Sequence, residues 1–158
     1  MPKISPFLWF DKEAEQAAKF YVSVFPNSKL GEIQRYPEGA PGQAGSVMTV
    51  AFELDGEPFT ALNGGPVFKF NEAVSFVIDC ADQAEVDLYW DKLTADGGKP
   101  VQCGWLTDKY GLSWQVVPTA ALHETTSGPD PAGRQRAFDA MMKMVKLDVA
   151  KLKAAYAG

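Results

Sequence analysis

Two stretches of this chain, 71 positions apart, each read as an acid-capped amphipathic helix set among strands. Such a duplication constrains the fold more tightly than any single motif, because a repeated supersecondary unit implies a repeated packing problem. In the first copy Asp11 stands at the N-cap, with Glu13 and Glu15 favourable in the first turn. Ala14, Ala17, Ala18, Tyr21, Val24 and Phe25 then follow the i, i+3, i+4, i+7 spacing of a helix with one apolar face, and Pro26 ends it. In the second copy Asp82-x-x-Glu85 forms a capping box, Val86, Tyr89, Trp90 and Leu93 supply the stripe, and Gly97-Gly98 the C-cap.

The flanks repeat as well. Residues 4–10 form a short apolar run before the first helix, and Ala73 to Cys80 does the same before the second. Three β-rich segments follow the first helix: Leu30 to Tyr36, Val47 to Leu54, and Phe59 to Asn63. A Pro/Gly-rich loop (37–45) and an Asp55-Gly56 hairpin signal separate them. Gly64-Gly65-Pro66 closes this half. After the second helix, Lys99 to Trp105 and Leu112 to Val117 supply strands, linked through Tyr110-Gly111. The expectation is a single α+β domain over 1–158: module one at 3–66, module two at 72–118, and a helical tail at 119–158.

The tail has no counterpart in the first half. Pro118 to Thr126 reads as a short helix and Gly128 to Pro131 as a loop; Phe138, Met141, Met142 and Val145 make an apolar stripe. Asp148 caps a last helix through Val149, Leu152 and Tyr156. The Met-rich stripe is expected to dock on the domain or on a second subunit.

Composition removes several function classes. With 15 basic against 20 acidic residues, net −5, and no basic block, nucleic-acid binding lacks an electrostatic basis. No run approaches the length of a membrane span, and the start, Met1 to Asp11, is too short for a signal peptide. Cys80 and Cys103 lack the close spacing of a zinc or redox motif, which favours two reduced thiols in a cytoplasmic protein.

Five motifs in order carry a family resemblance. They are Pro6-Phe7-Leu8-Trp9-Phe10-Asp11 with Phe20-Tyr21; Phe52-Glu53-Leu54-Asp55-Gly56; Phe59-Thr60-Ala61-Leu62-Asn63-Gly64-Gly65-Pro66; Phe70-Asn71-Glu72-Ala73-Val74-Ser75-Phe76; and Thr107-Asp108-Lys109-Tyr110-Gly111-Leu112-Ser113-Trp114-Gln115. From about residue 3 to 156 the chain resembles the PhnB-like family of the glyoxalase / vicinal-oxygen-chelate superfamily, whose members often carry a demethylubiquinone methyltransferase-like label. The resemblance implies two βαβββ modules whose sheets curve around a cleft, as in glyoxalase and bleomycin-resistance folds, commonly in a homodimer. In its metal-dependent relatives, His, Glu or Gln on the first and last strands of each module hold a divalent ion.

Counting from the helix landmarks puts those slots at Pro6, Thr60, Ser75 and Gln115, a set in which only Gln115 is a usual ligand. The one histidine, His123, lies in the tail. No metal and no other cofactor is therefore expected. Strand alternation extends the slots to a cleft-facing set that includes Ile4, Pro6, Leu8, Phe10, Thr60, Leu62, Ser75, Val77, Ser113, Gln115 and Val117. Phe7, Trp9, Phe59, Ala61, Phe76, Ile78, Trp114 and Val116 are assigned to the face under the helices. Trp105 and Tyr110, near the mouth, either stack on an aromatic ligand or close the core. The expected substrate-binding residues are Pro6, Leu8, Thr60, Leu62, Ser75, Val77, Trp105, Ser113 and Gln115, forming a pocket for a small organic molecule or a filled core whose polar groups satisfy one another.

The chemistry stays open. S-adenosylmethionine needs a Gly-rich strand-to-helix turn, and Leu62-Asn63-Gly64-Gly65-Pro66 reads instead as a connector. Cys80 and Cys103 have no histidine partner visible in the sequence and read as packing residues, and Asp79 as a solvated strand-end carboxylate. Two readings remain: a metal-independent enzyme acting on a small organic molecule, and a binding protein that sequesters one. The resemblance also implies two alternatives, a divalent-metal-dependent glyoxalase- or dioxygenase-type enzyme and, by label, a methyltransferase-like protein. A scaffold that has lost its activity is the last possibility.

Overall fold

The duplication expected from the sequence is present in the strand topology. The computed structural model describes residues 2–158, which divide into two compact units with a boundary between Phe70 and Asn71. Module one runs β1 (Phe7–Phe10), α1 (Ala14–Val24), β2 (Lys29–Arg35), β3 (Val47–Leu54) and β4 (Glu57–Asn63). Module two runs β5 (Ser75–Asp79), α2 (Gln83–Thr94), β6 (Lys99–Pro100), β7 (Trp105–Thr107) and β8 (Ser113–Val117). The sheets are ordered β1-β4-β3-β2 and β5-β8-β7-β6. In each, the first and last strands of the module pair in parallel and the others antiparallel. The fold is α+β with two βαβββ modules, as the sequence led us to expect.

In module one the alanines at 14, 17 and 18 are fully buried, so α1 lies close on its sheet, and Tyr21 stacks on Phe52 with ring centroids 6.3 Å apart. Phe52 in turn stacks on its cross-strand partner Phe59 at 5.3 Å. Removing each such side chain from water contributes about 1.5–3 kcal/mol. The Asp55-Gly56 turn has φ of +50° and +81°, both left-handed as a two-residue type I′ hairpin requires. Asp11, however, does not cap α1. The helix starts at Ala14, whose N–H donates to Asn63 Oδ1 at 2.8 Å, so the cap comes from the end of β4.

Module two buries Val86, Leu93, Leu106 and Val116 completely, with Trp114 nearly so. Here the expected cap is present: Glu85 N–H donates to Asp82 Oδ1 at 3.0 Å, and Glu85 Oε2 accepts from Ala81 N–H at 3.3 Å. The expected strand Lys99 to Trp105 is broken in two, because Cys103 and Gly104 adopt φ of +58° and +84° and their N–H groups bond the tail instead.

The tail forms α3 (Thr119–Thr125), α4 (Pro131–Met142) and α5 (Val149–Ala157). Asp148 caps α5 as expected, accepting from Lys151 N–H at 3.0 Å. Asp130, read as loop, caps α4 by accepting from Gly133 N–H at 3.1 Å, with Pro131 opening the helix. The tail is fastened to α2 through Gln83, whose Nε2 donates to Leu147 O (3.1 Å) while its Oε1 accepts from Val149 N–H (2.7 Å). No helix among the described residues is long and apolar enough to cross a membrane.

Candidate functional site

In module two the register gathers the expected residues onto one sheet face. Ser75 lies opposite Ser113, Val77 opposite Gln115, and Gln115 opposite Trp105. Paired residues point to the same side of a sheet, so Val77, Gln115 and Trp105 form a row across β5, β8 and β7. Gln115 Nε2 donates to Ser75 Oγ at 2.9 Å, which leaves Oε1 as the acceptor of that amide. Val77 is 59% exposed, and Gln115, Trp105 and Ser75 are half-buried. Thr107, opposite Ser113 in the same register, adds a hydroxyl that the sequence reading had not singled out. Ser113 shares the face but is fully buried, and its Oγ has no hydrogen-bond partner among the described residues, so it is a packing position rather than a contact surface.

Module one corrects the expected faces. The parallel register of β1 on β4 places Phe7 beside Thr60, Leu8 beside Ala61 and Trp9 beside Leu62. Leu8 is therefore on the side of Phe59 and Ala61, buried with the residues packed under α1, and Phe10 shares that parity. Thr60 and Leu62 lie on the other face with Phe7, 61% exposed, and Trp9. Pro6 precedes the strand and contributes its carbonyl to Thr60 N–H at 3.1 Å; Ile4 is 89% exposed. The large aromatics can occupy that side because their needs are met at the sheet margin. Trp9 Nε1 donates to Gly65 O at 2.9 Å, and Phe68 packs edge-on against its ring at 4.8 Å.

Neither face offers a metal ion a suitable donor set. Corrected for register, module one presents Phe7, Trp9, Thr60 and Leu62, and module two presents Ser75, Thr107, Gln115 and, at the exposed strand end, Asp79, with Gln115 already bonded to Ser75. Among the described residues no three of His, Cys, Asp or Glu come together, and His123 stands on α3. The Gly64-Gly65 turn fits S-adenosylmethionine no better. No helix follows it, and its N–H groups are taken by Phe10 O (2.9 Å) and Asp11 O (3.2 Å), leaving none to cradle a ligand.

A cavity of about 470 Å³ opens beside this turn, lined in part by Asp11, Lys12, Tyr36 and Asn63. Two of its polar groups are committed to the fold: Tyr36 Oη donates to Asn63 O, and Asn63 Nδ2 donates to Val47 O at 3.1 Å. The cavity was not foreseen from the sequence, since its lining joins the 37–46 loop to the start of α1 and the end of β4, which long-range bonds at the loop's two ends bring together.

Cys80 is no nucleophile. Burial, and after it the charge of Glu85, push its thiol up to about 12. Cys103 is half-buried, with Sγ 3.8 Å from Met142 Sδ. Asp79 is exposed at the end of β5. Tyr110 is held by its N–H to Asp108 Oδ1 (2.8 Å), with Lys109 Nζ 5.7 Å from its ring centre.

Residues 2–117 match the family described as 3-demethylubiquinone-9 3-methyltransferase. Among solved structures the chain is similar to the PhnB protein of Bacillus cereus, which bears the same methyltransferase name: 35% identity over 73% of this chain and 98% of that one, TM-score 0.67. A Pseudomonas aeruginosa protein is 18% identical over 73% of this chain and 96% of its own, TM-score 0.59. An Arabidopsis thaliana gene product is 18% identical over 74% and 98%, TM-score 0.50. The last two likenesses show the fold alone. No curated protein matches.

Proposed function

Since this chain belongs to the PhnB-like, 3-demethylubiquinone-9 3-methyltransferase family, we propose that it binds a small organic molecule, without a metal ion, on the module-two face that carries Ser75, Val77, Trp105 and Gln115. The row Val77–Gln115–Trp105 is the observation that carries this reading. An indole and an exposed valine flank a single amide oriented by Ser75, which is the make-up of a small-molecule surface: apolar area with a few placed polar atoms. Trp105 offers a flat face to an aromatic ring. Gln115 Oε1 accepts from an N–H or O–H on the ligand. Thr60 and Leu62, with Phe7 and Trp9, are the corresponding surface of module one.

The donor chemistry supports binding without a metal, and Asp79, the carboxylate that shares this face, stands exposed at the end of β5, away from the Gln115 amide, which favours sequestration over acid–base or covalent catalysis. The test is a thermal-shift and calorimetric screen of small aromatic and quinone-like compounds, run with and without chelator. Ligand stabilisation that survives chelator and falls about tenfold in affinity in Gln115→Leu and Trp105→Ala supports the reading. Stabilisation that requires a divalent ion, or affinity indifferent to both substitutions, overturns it.

A further inference from the structure

The cavity beside the Gly64-Gly65 turn lies wholly within module one and takes no residue from the module-two face. Its volume, about 470 Å³, is that of a small-molecule site. Its walls are braced. Tyr36 N–H donates to Ser46 O and Gly45 N–H to Tyr36 O, both at 2.9 Å, closing the loop between β2 and β3. Gly42 lies against the Tyr36 ring, where a Cβ would sit 2.5 Å from a ring carbon, and the ring is tied by its hydroxyl to Asn63 O. The Gly64-Gly65 wall is fixed in turn by its two N–H groups on Phe10 O and Asp11 O.

The polar groups on these walls divide into those the fold uses and those it leaves over. Asn63 caps α1 and bonds Val47 O, and Glu15 Oε2 accepts from Lys19 Nζ at 2.8 Å. The Asp11 carboxylate, the Lys12 ammonium and the Gln43 amide also line the cavity, and none of the three bonds another described residue. Asp11 is left over because Asn63 has taken the capping position that the sequence offered to it. Tyr36, Pro41 and Val47 add an apolar side.

One negative and one positive charge, on neighbouring residues and both unpaired, thus line a single cavity. A ligand with one charge meets one of them as an attraction and the other as a repulsion, whereas a ligand with both signs gains from each. We infer that this cavity is a binding site for a small zwitterion of the α-amino-acid class. Its ammonium sits on Asp11, its carboxylate on Lys12 and the Gln43 amide, and a short apolar side chain lies against Tyr36, Pro41 and Val47. The site is independent of what the module-two face binds.

Heteronuclear NMR of the full chain tests this, with L-leucine titrated to about 10 mM, enough for the millimolar affinity of two partly exposed charge pairs. The amide signals of Lys12, Gln43 and Gly64 should shift together and saturate. N-acetyl-L-leucine, which lacks the ammonium, and L-leucinamide, which lacks the carboxylate, should each bind about fivefold more weakly, the worth of one such pair. Asp11→Asn should bind leucine no better than its N-acetyl derivative, and Lys12→Gln no better than its amide. Neither side chain is bonded to the fold, so both variants should melt with the wild type. Gly42→Ala, which pushes the loop wall off the Tyr36 ring, should weaken all three ligands. Signals that stay in place to about 10 mM, equal binding of leucine and its two derivatives, or a preference that survives both charge substitutions would each overturn the inference. So would shifts confined to Trp105 and Gln115, which would put the amino acid on the module-two face instead.

Discussion

Replacing Asp108 tests how the site-bearing strand is held. This carboxylate is 2% exposed, yet it accepts three hydrogen bonds: Oδ1 from Tyr110 N–H (2.8 Å) and Leu112 N–H (3.1 Å), Oδ2 from Trp114 Nε1 (2.9 Å). Its own N–H donates to Leu112 O and its carbonyl accepts from Gly111 N–H, both at 2.9 Å, so one residue closes the turn between β7 and β8. In Asp108→Ala the backbone bonds can persist, but three donors lose their acceptor. Tyr110 is half-buried and water can reach its N–H, whereas Leu112 and Trp114 are each 3% exposed. Two buried donors left unsatisfied cost about 1–3 kcal/mol each, giving a loss of about 4 kcal/mol. Asp108→Asn keeps an oxygen for the two amides but turns an NH2 towards the indole N–H, so one bond is lost and a loss of about 2 kcal/mol is expected. Urea unfolding followed by tryptophan emission and by far-UV circular dichroism measures both, the two probes checking that one transition is being read. An alanine variant within about 1 kcal/mol of wild type, or an asparagine variant as damaged as the alanine, would refute the account of Asp108 as the anchor of this turn.

Three further outcomes are expected. A Cβ at Gly64 would sit 2.5 Å from the Trp9 ring, which is itself tied to Gly65 O, so Gly64→Ala should cost about 1–3 kcal/mol and lower the melting temperature; an unshifted melt would contradict this. Titration of the native protein with a thiol reagent at pH 8 should show Cys103 reacting promptly and Cys80, held up to about 12, only on unfolding; two fast thiols would refute the burial argument. Hydrogen bonds from Lys146 first and Gln83 second hold Asp87 below the ordinary aspartate value of 3.8. A depressed folded value means that the stabilisation is complete above 3.8 and is lost as pH falls through the lower folded value. Hydrogen exchange, corrected for intrinsic rates, should therefore show tail amides such as Val149 losing protection at acid pH in the wild type and much less so in Asp87→Asn.

The parts of this protein that a reader of the sequence can place are those made by short-range chemistry. Asp82 and Asp148 cap helices three residues ahead, Asp55-Gly56 turns a hairpin in two residues, and the Tyr21 and Trp90 stripes follow from helical spacing alone. Module two's expected positions also share one sheet face, because on β5 and β8 the small or polar residues alternate with the large apolar ones, so size and parity agree. On β1 they do not. Phe7, Leu8, Trp9 and Phe10 are all large and apolar, and a continuous apolar run contains no parity signal. Only the pairing with β4 decided that Leu8 goes under α1 while Phe7 and Trp9 turn the other way. Distance in sequence hid the rest: α1 takes its cap from Asn63, 49 residues from Ala14, and the Lys99 to Trp105 segment breaks because Cys103 and Gly104 find partners in the tail. Sequence determined the elements and the duplication, which depend on hydrogen bonds and periodicities spanning a few residues. The tertiary structure decided faces, caps and breaks wherever competing local options were nearly equal in energy and a distant partner settled the choice.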